Sequence, residues 1–233
     1  MAEEIELALY LVRHGESVSN AGQTDSLASY ELKSDSPLSK KGERQAELLG
    51  EYFAEYPLDC LFSSGLRRAL QTAYQVGIHQ PENGARQVEV HKIFTERNTG
   101  SDSRSRSIEE IRSELPIMTL AQGTKPDDGT IHHGDDDTDE MTFARAQAAV
   151  KYLRDRFHNG EKVMVVAHAA FITDMYLAML GLDRVQRFDP SFYNTGITKI
   201  VFFKEGTAPF GDIYQVYHNA VPHLYGEMPE FRF

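Results

Sequence analysis

A chain of 233 residues, 41% hydrophobic and 25% charged, is long enough to close one substantial core and has the composition of an ordinary globular protein. Its 24 Lys and Arg against 35 Asp and Glu leave a formal charge of −11, which argues against nucleic acid as a partner and requires a local basic pocket to draw in any anionic substrate. One cysteine, Cys60, excludes an internal disulfide framework, no apolar run approaches a membrane span, and MAEEIELALYLV carries acids where a signal peptide carries bases, so cytoplasmic residence is the expectation.

Leu7, Leu9, Tyr10, Leu11 and Val12 form a short apolar run of branched and aromatic residues, the pattern of a strand buried on both faces. The run stops at Arg13, His14 and Gly15. Reactive groups therefore sit at the carboxyl end of the strand, where open α/β sheets bind ligands. Arginine offers a fork of donors, histidine a nucleophilic ring nitrogen, and glycine a close backbone approach: the outline of a phosphate site. Residues 21–36 are polar and read as a loop. Ser39 is placed to cap a helix over residues 40–55, with Ala46, Leu48, Leu49, Tyr52 and Phe53 at helical spacing.

Residues 58–63, LDCLFS, read as a second buried strand, after which SSGLRRALQTAYQV turns helical with Leu66, Ala69, Leu70, Ala73 and Val76 on one face. Arginines at a helix start oppose the macrodipole, and such a local conflict points to function. A third strand, 87–91, leads into a polar segment carrying Glu96 and the basic residues Arg97, Arg104 and Arg106. In so acidic a chain these arginines are candidates for holding a second anionic group. Residues 107–115 read as a short helix. From 116 to 140 the periodicity fades and acids accumulate, as in lids, binding loops or disordered segments. His132 and His133 beside Asp135 to Asp137 have ligand chemistry, but adjacent loop residues rarely converge on one ion, and no metal is assigned. A long helix over 140–157, with Phe143, Ala146, Val150, Leu153 and Phe157 as its buried stripe, precedes a buried strand, 163–167, that delivers His168 to the start of an apolar helix. Tyr193 to Gly196 turn into a strand at 197–203, and 213–218 read as an edge strand.

RHGESVSN resembles the signature of the histidine phosphatase superfamily, the phosphoglycerate mutase-like proteins, in the branch that reads RHGE(S/T)xxN. Further matches follow in order. DSPLSKKGERQA is similar to DxPLSxxGxxQA, and SSGLRRALQTA to SSxLxRAxQTA, which makes Arg68 rather than Arg67 the matching phosphate arginine. IFTERNTG is similar to LxExxxG with Phe94 for Leu, and DDTDEMTFAR to GES…R with Asp137, Thr138 and Arg145 in those places. HNAVPHL resembles the terminal segment, with Asn219 and His223 matched.

The resemblance implies an α/β fold, a three-layer α/β/α sandwich around a mostly parallel central sheet, as one domain over 1–233 with a variable cap or lid insertion at 97–140. It implies a metal-independent phosphatase without cofactor, acting on a small phosphorylated substrate. His14 is then the nucleophile that becomes phosphohistidine, Arg13, Arg68 and His168 clamp the phosphate, and Glu96 is the general acid and base. Asn20, Ala169, Asn194, Arg97 and Arg104 are the substrate-binding candidates. The chain departs from the family in reading HAA where HGG or HGx is common, and Ala169 adds a methyl group where the backbone meets phosphate. Two alternatives remain: a cofactor-dependent phosphoglycerate mutase-type phosphotransferase, since ERNTG begins like ERHYG, and a catalytically weak phosphate-binding module. Oligomeric state is open, a dimer included. Neither GxGxxG nor GxxxxGK(S/T) occurs.

Overall fold

The computed structural model describes residues 4–27, 29, 34–97, 105–125, 131, 137–183, 190–209, 211–228 and 230. In chain order the elements are β1 (Ile5–Arg13), α1 (Lys40–Phe53), β2 (Cys60–Ser63), α2 (Arg67–His79), β3 (Val88–Val90), α3 (Ile108–Glu114), β4 (Met118–Leu120), α4 (Asp139–Arg156), β5 (Glu161–Ala167), α5 (Ala169–Met179), β6 (Ile197–Phe203) and β7 (Ile213–Ala220). The strands form one sheet in the order β4-β3-β2-β5-β1-β6-β7. The first five strands in the chain run parallel; β6 is antiparallel to β1, and β7 to β6.

Alternation along β1 explains why its sequence is apolar throughout. Ala8, Tyr10 and Val12 face one core, filled from α1 and α2 by Leu49, Phe53, Leu70 and Val76. Leu7, Leu9 and Leu11 face the other, filled from α4 and α5 by Ala146, Leu153, Phe171 and Met175. The result is the three-layer sandwich with a mostly parallel sheet. Each fully buried leucine of this kind contributes ~1.5–3 kcal/mol of transfer free energy, so the central strand is over-determined.

Helix ends follow the local chemistry. The Ser39 hydroxyl accepts from the Gly42 N–H and caps α1, Ser107 and Glu110 form a capping box on α3, and Thr138 caps α4. The buried stripe of α4 is rotated from the expected one. Thr142, Ala146, Ala149 and Leu153 face inward, while Phe143 and Val150 are only partly buried. Thr142 is tolerated inside because its hydroxyl donates to the Thr138 carbonyl at 3.1 Å, and the two alanines let the helix lie close to the sheet. The segment expected to be irregular beyond residue 116 begins with β4, three residues pairing in parallel with β3. A run this short has too few residues to show periodicity.

The C-terminal 3-10 turn, Pro222–Leu224, sets Val221, Leu224 and Met228 against Leu48 of α1, with Arg44 paired to Glu227. Among the described residues no helix is long and apolar enough to cross a membrane.

Candidate active site

Sheet register brings the two key histidines together. Arg13 at the end of β1 pairs with Ala167 at the end of β5, so the next residues, His14 and His168, leave neighbouring strand ends side by side. Their rings lie 5.1 Å apart. Strand β2, on the far side of β5, delivers Ser64, whose hydroxyl lies 2.8 Å from His168 Nε2, and leads into α2 with Arg68 in its first turn.

His14 is 4% exposed, and its Nδ1 lies 2.7 Å from the Gly15 carbonyl. A carbonyl only accepts, so Nδ1 carries the hydrogen and Nε2 keeps its lone pair. That lone pair receives the Arg68 Nε–H at 3.2 Å. Burial pushes the His14 imidazole well below its ordinary pKa, and the Arg68 and Arg13 charges push it further. His168, fully buried, is lowered in the same way by burial and by Arg68, His14, Arg13 and Arg145. The site thus holds neutral imidazoles between guanidinium groups, which suits a nitrogen nucleophile.

The loop carrying His14 is held from several directions. Thr72 Oγ1 accepts the Gly15 N–H at 3.0 Å, and Gln45 Oε1 accepts the Glu16 N–H at 2.9 Å. Asn194 Nδ2 donates to the His14 carbonyl at 3.0 Å, and the Thr195 N–H donates to the Arg13 carbonyl at 2.9 Å. Thr195 adopts φ 59°, a left-handed conformation that a β-branched residue resists. Its hydroxyl lies 2.7 Å from the Asn194 carbonyl and 2.9 Å from His223 Nε2, bonds that hold the strained turn in place. Arg13 is oriented by its Nη1, which donates to the Phe192 carbonyl at 2.6 Å.

Glu96 follows the 3-10 turn Lys92–Phe94. Its Oε1 accepts two backbone N–H groups at 3.0 Å, from Arg97 and from Phe171 in the first turn of α5. The N-cap of α5, His168, makes no side-chain cap, so Glu96 serves that helix end from another part of the chain. Arg145 fixes the segment leading to Glu96, donating to the carbonyls of Thr95 at 2.6 Å and Ile93 at 3.1 Å while pairing with Asp137 at 3.0 Å and lying over the Phe171 ring.

These groups border a cavity of about 310 Å³: Arg13, His14, Arg68 and Glu96 on the reactive side, with Ala169 and Arg97, and a wall of Ser17, Ser19, Asn20, Ser34 and Ser36. Of the sequence candidates, Asn20 and Ala169 lie on the cavity, while Asn194 is turned to the backbone of His14. Arg97 lies on the rim, 3.9 Å from Asp139. Arg106 is drawn away, pairing with Glu114 at 2.6 Å, whereas Arg104 lies outside the described residues. So do His132, His133, Asp135 and Asp136; among the described residues no three potential ligands converge on a metal position. A larger hollow of about 560 Å³, lined by Cys60, Glu89 and Arg156, gathers no comparable chemistry, since Arg156 and Glu89 neutralise each other at 2.5 Å. Ser64, Thr72 and Gln45 were visible in the sequence only as family letters; nothing local announces that they support the histidines.

The sequence model of the histidine phosphatase superfamily (branch 1) matches residues 9–209. The chain belongs to that superfamily. It is 30% identical to the uncharacterized phosphatase PhoE of Bacillus subtilis over 76% of this chain and 79% of the relative. It is 29% identical to phosphoserine phosphatase 1 of Hydrogenobacter thermophilus, over 75% and 77% respectively. The crystal structure of phosphoserine phosphatase from Entamoeba histolytica in complex with 3-phosphoglyceric acid shares the fold, with a TM-score of 0.59 and 23% identity over 94% of this chain and 99% of that one.

The buried histidines also set an acid limit on stability. His14, His91, His168 and His223 are all lowered mainly by burial, His91 to about 4 and His223 to about 3. Below about pH 6.5 the unfolded chain protonates all four while the fold resists, so stability falls by about 1.4 kcal/mol per pH unit for each histidine that stays neutral. Asp35, raised by burial, acts in the opposite sense, as one group against four. Thermal melts should therefore show the midpoint dropping steeply from about pH 6.5 to 4.5. A flat profile across that interval would mean that these rings charge within the fold.

Proposed function

We propose that this protein is a metal-independent phosphomonoesterase that works through a phosphohistidine on His14. The observation that carries this reading is the His14 Nε2 lone pair, buried and neutral beside Arg68, on the same cavity as Arg13 and the Glu96 carboxyl group, which enters the first step protonated. Nε2 attacks phosphorus, the bond from phosphorus to the leaving oxygen breaks, and that oxygen takes the proton of Glu96. The Nδ1–H keeps donating to the Gly15 carbonyl, which stabilises the positive charge of the phosphorylated ring. Water then attacks the phosphohistidine, Glu96 accepts its proton, and the electrons of the phosphorus–nitrogen bond return to Nε2. Arg13 and Arg68 neutralise the equatorial oxygens, and His168, whose Nε2 accepts from the Ser64 hydroxyl and whose Nδ1–H has no partner among the described residues, donates there.

The cavity accommodates a small phosphorylated molecule with a polar remainder, and Arg97 on its rim would take a carboxylate. The 3-phosphoglyceric acid in the Entamoeba structure is a ligand of that description.

The test is phosphate release in excess chelator, comparing the native protein with Glu96→Gln on esters of graded leaving-group basicity. Wild-type turnover should survive the chelator. The variant should lose about 10²–10⁴-fold on alkyl phosphates and far less on nitrophenyl phosphate, whose leaving group needs no proton. A uniform loss across the series would remove Glu96 from the acid role, and loss of wild-type turnover in chelator would remove metal independence.

A further inference from the structure

We propose that Asp35, which lies outside the reacting groups, is a positioning residue for Arg68, holding that arm of the phosphate clamp in place; the inference rests on the phosphatase reading above.

Helix α2 starts against the usual rules. Its N-cap, Leu66, has no side chain able to cap, its first turn contains no acid, and Arg67 and Arg68 stand where the macrodipole is already positive. The missing cap comes from the loop before α1. Asp35, 4% exposed, accepts the Arg67 N–H on Oδ1 at 2.7 Å, so it fixes the first peptide of the helix and with it the residue from which the Arg68 side chain projects. Serine or asparagine would cap as well, at no cost of burying a charge. Only aspartate also brings an anion to the arginines.

Three arginines act on that anion, and two of them already have a carboxylate partner. Arg67 and Arg106 share Glu114, at 3.3 and 2.6 Å. Arg68 has no ion pair within 4 Å among the described residues and directs Nε to His14. The second oxygen of Asp35, Oδ2, is sealed from solvent and makes no direct hydrogen bond among the described residues. Burial raises the Asp35 carboxyl, the Arg67 N–H lowers it, and the largest charge effect opposing the burial is that of Arg68, whose own guanidinium is in turn supported by Asp35.

The sign of one measurement separates positioning from proximity. A background anion repels phosphate, so removing it tightens phosphate binding; a residue that places a phosphate-binding arginine weakens binding when lost. Calorimetric titration of the full chain with inorganic phosphate should show affinity for Asp35→Asn reduced roughly tenfold or more, with a parallel fall in kcat and a melting temperature near that of the wild type. Asparagine keeps the acceptor for Arg67 and loses only the charge. Asp35→Ser, smaller and equally able to accept, supplies the same comparison should the asparagine variant fold poorly. Phosphate affinity unchanged or increased, with kcat unchanged, would overturn the proposal and leave Asp35 a helix cap. Wild-type protein that binds phosphate but hydrolyses no ester would sink the phosphatase reading instead, while the affinity comparison would still decide the role of Asp35.

Discussion

Replacing His14 by alanine is expected to abolish turnover, by at least ~10³-fold in kcat, because in the proposed mechanism its ring acts as a unit with the groups aimed at it. The geometry makes the loss specific. The Gly15 carbonyl assigns the hydrogen to Nδ1, and Arg68 points at the remaining lone pair. Alanine removes that lone pair while leaving Arg13, Arg68 and His168 in place to bind phosphate. The variant should therefore bind substrate without consuming it, and rapid quenching into alkali should trap a phosphorylated protein from the wild type and none from the variant. A variant that still forms an acid-labile phosphoprotein would transfer the nucleophile's role to another residue, with His168 the nearest imidazole.

The second large effect lies where nothing ionises. Gly42 sits in the first turn of α1, and a Cβ built there would meet the Glu16 carbonyl oxygen at 1.9 Å; the corresponding atom on Gly15 would meet the Gly42 oxygen at 2.7 Å. Both obstacles are backbone. The helix is pressed against the histidine loop because the Ser39 N–H donates to the Glu16 carbonyl at 2.8 Å and the Ser39 hydroxyl to the Glu16 carboxylate at 2.7 Å. In Gly42→Ala one of the two segments must give way, at an expected cost of about 3 kcal/mol. A chain of this size would then melt roughly 6–12 °C lower. Because the displaced segment adjoins His14, kcat should fall with it. A variant melting within about 1 °C of the wild type, with full activity, would show that the contact relaxes freely.

Much of the framework was legible from residue type. The strand ending at Arg13, the capped helix after Ser39 and the strand delivering His168 each follow from short-range patterning. The apolar run of β1 reads as buried on both faces because both faces are in fact covered, by α1 and α2 on one side and α4 and α5 on the other. Patterning failed where its signal is weakest. The three residues of β4 are too few for periodicity, and the inward face of α4 turns on a threonine whose hydroxyl is satisfied within the helix.

The site divides along the same line. Arginine beside histidine at a strand end, two arginines at an unfavourable helix start and a histidine at the end of a second buried strand are local statements, and the sequence alone determined them. Glu96 and Arg145 were visible only through family resemblance, since an acid in a polar loop and an arginine on a helix carry no signal of their own. The tertiary structure decided what these residues do to each other. It set Arg68, the arginine the resemblance had singled out, against His14, turned Asn194 and Thr195 onto the backbone of the Arg13–His14 segment, and paired Arg106 with Glu114 away from the cavity. It also set Asp35 and Glu96 at the starts of helices that lack caps of their own. The reason is physical: periodicity and capping are set within a few residues of chain, whereas the field around a histidine is set by groups that sheet order and register bring together. Arg13 is oriented by a carbonyl 179 positions away, a partner that exists only because β1 lies between β5 and β6.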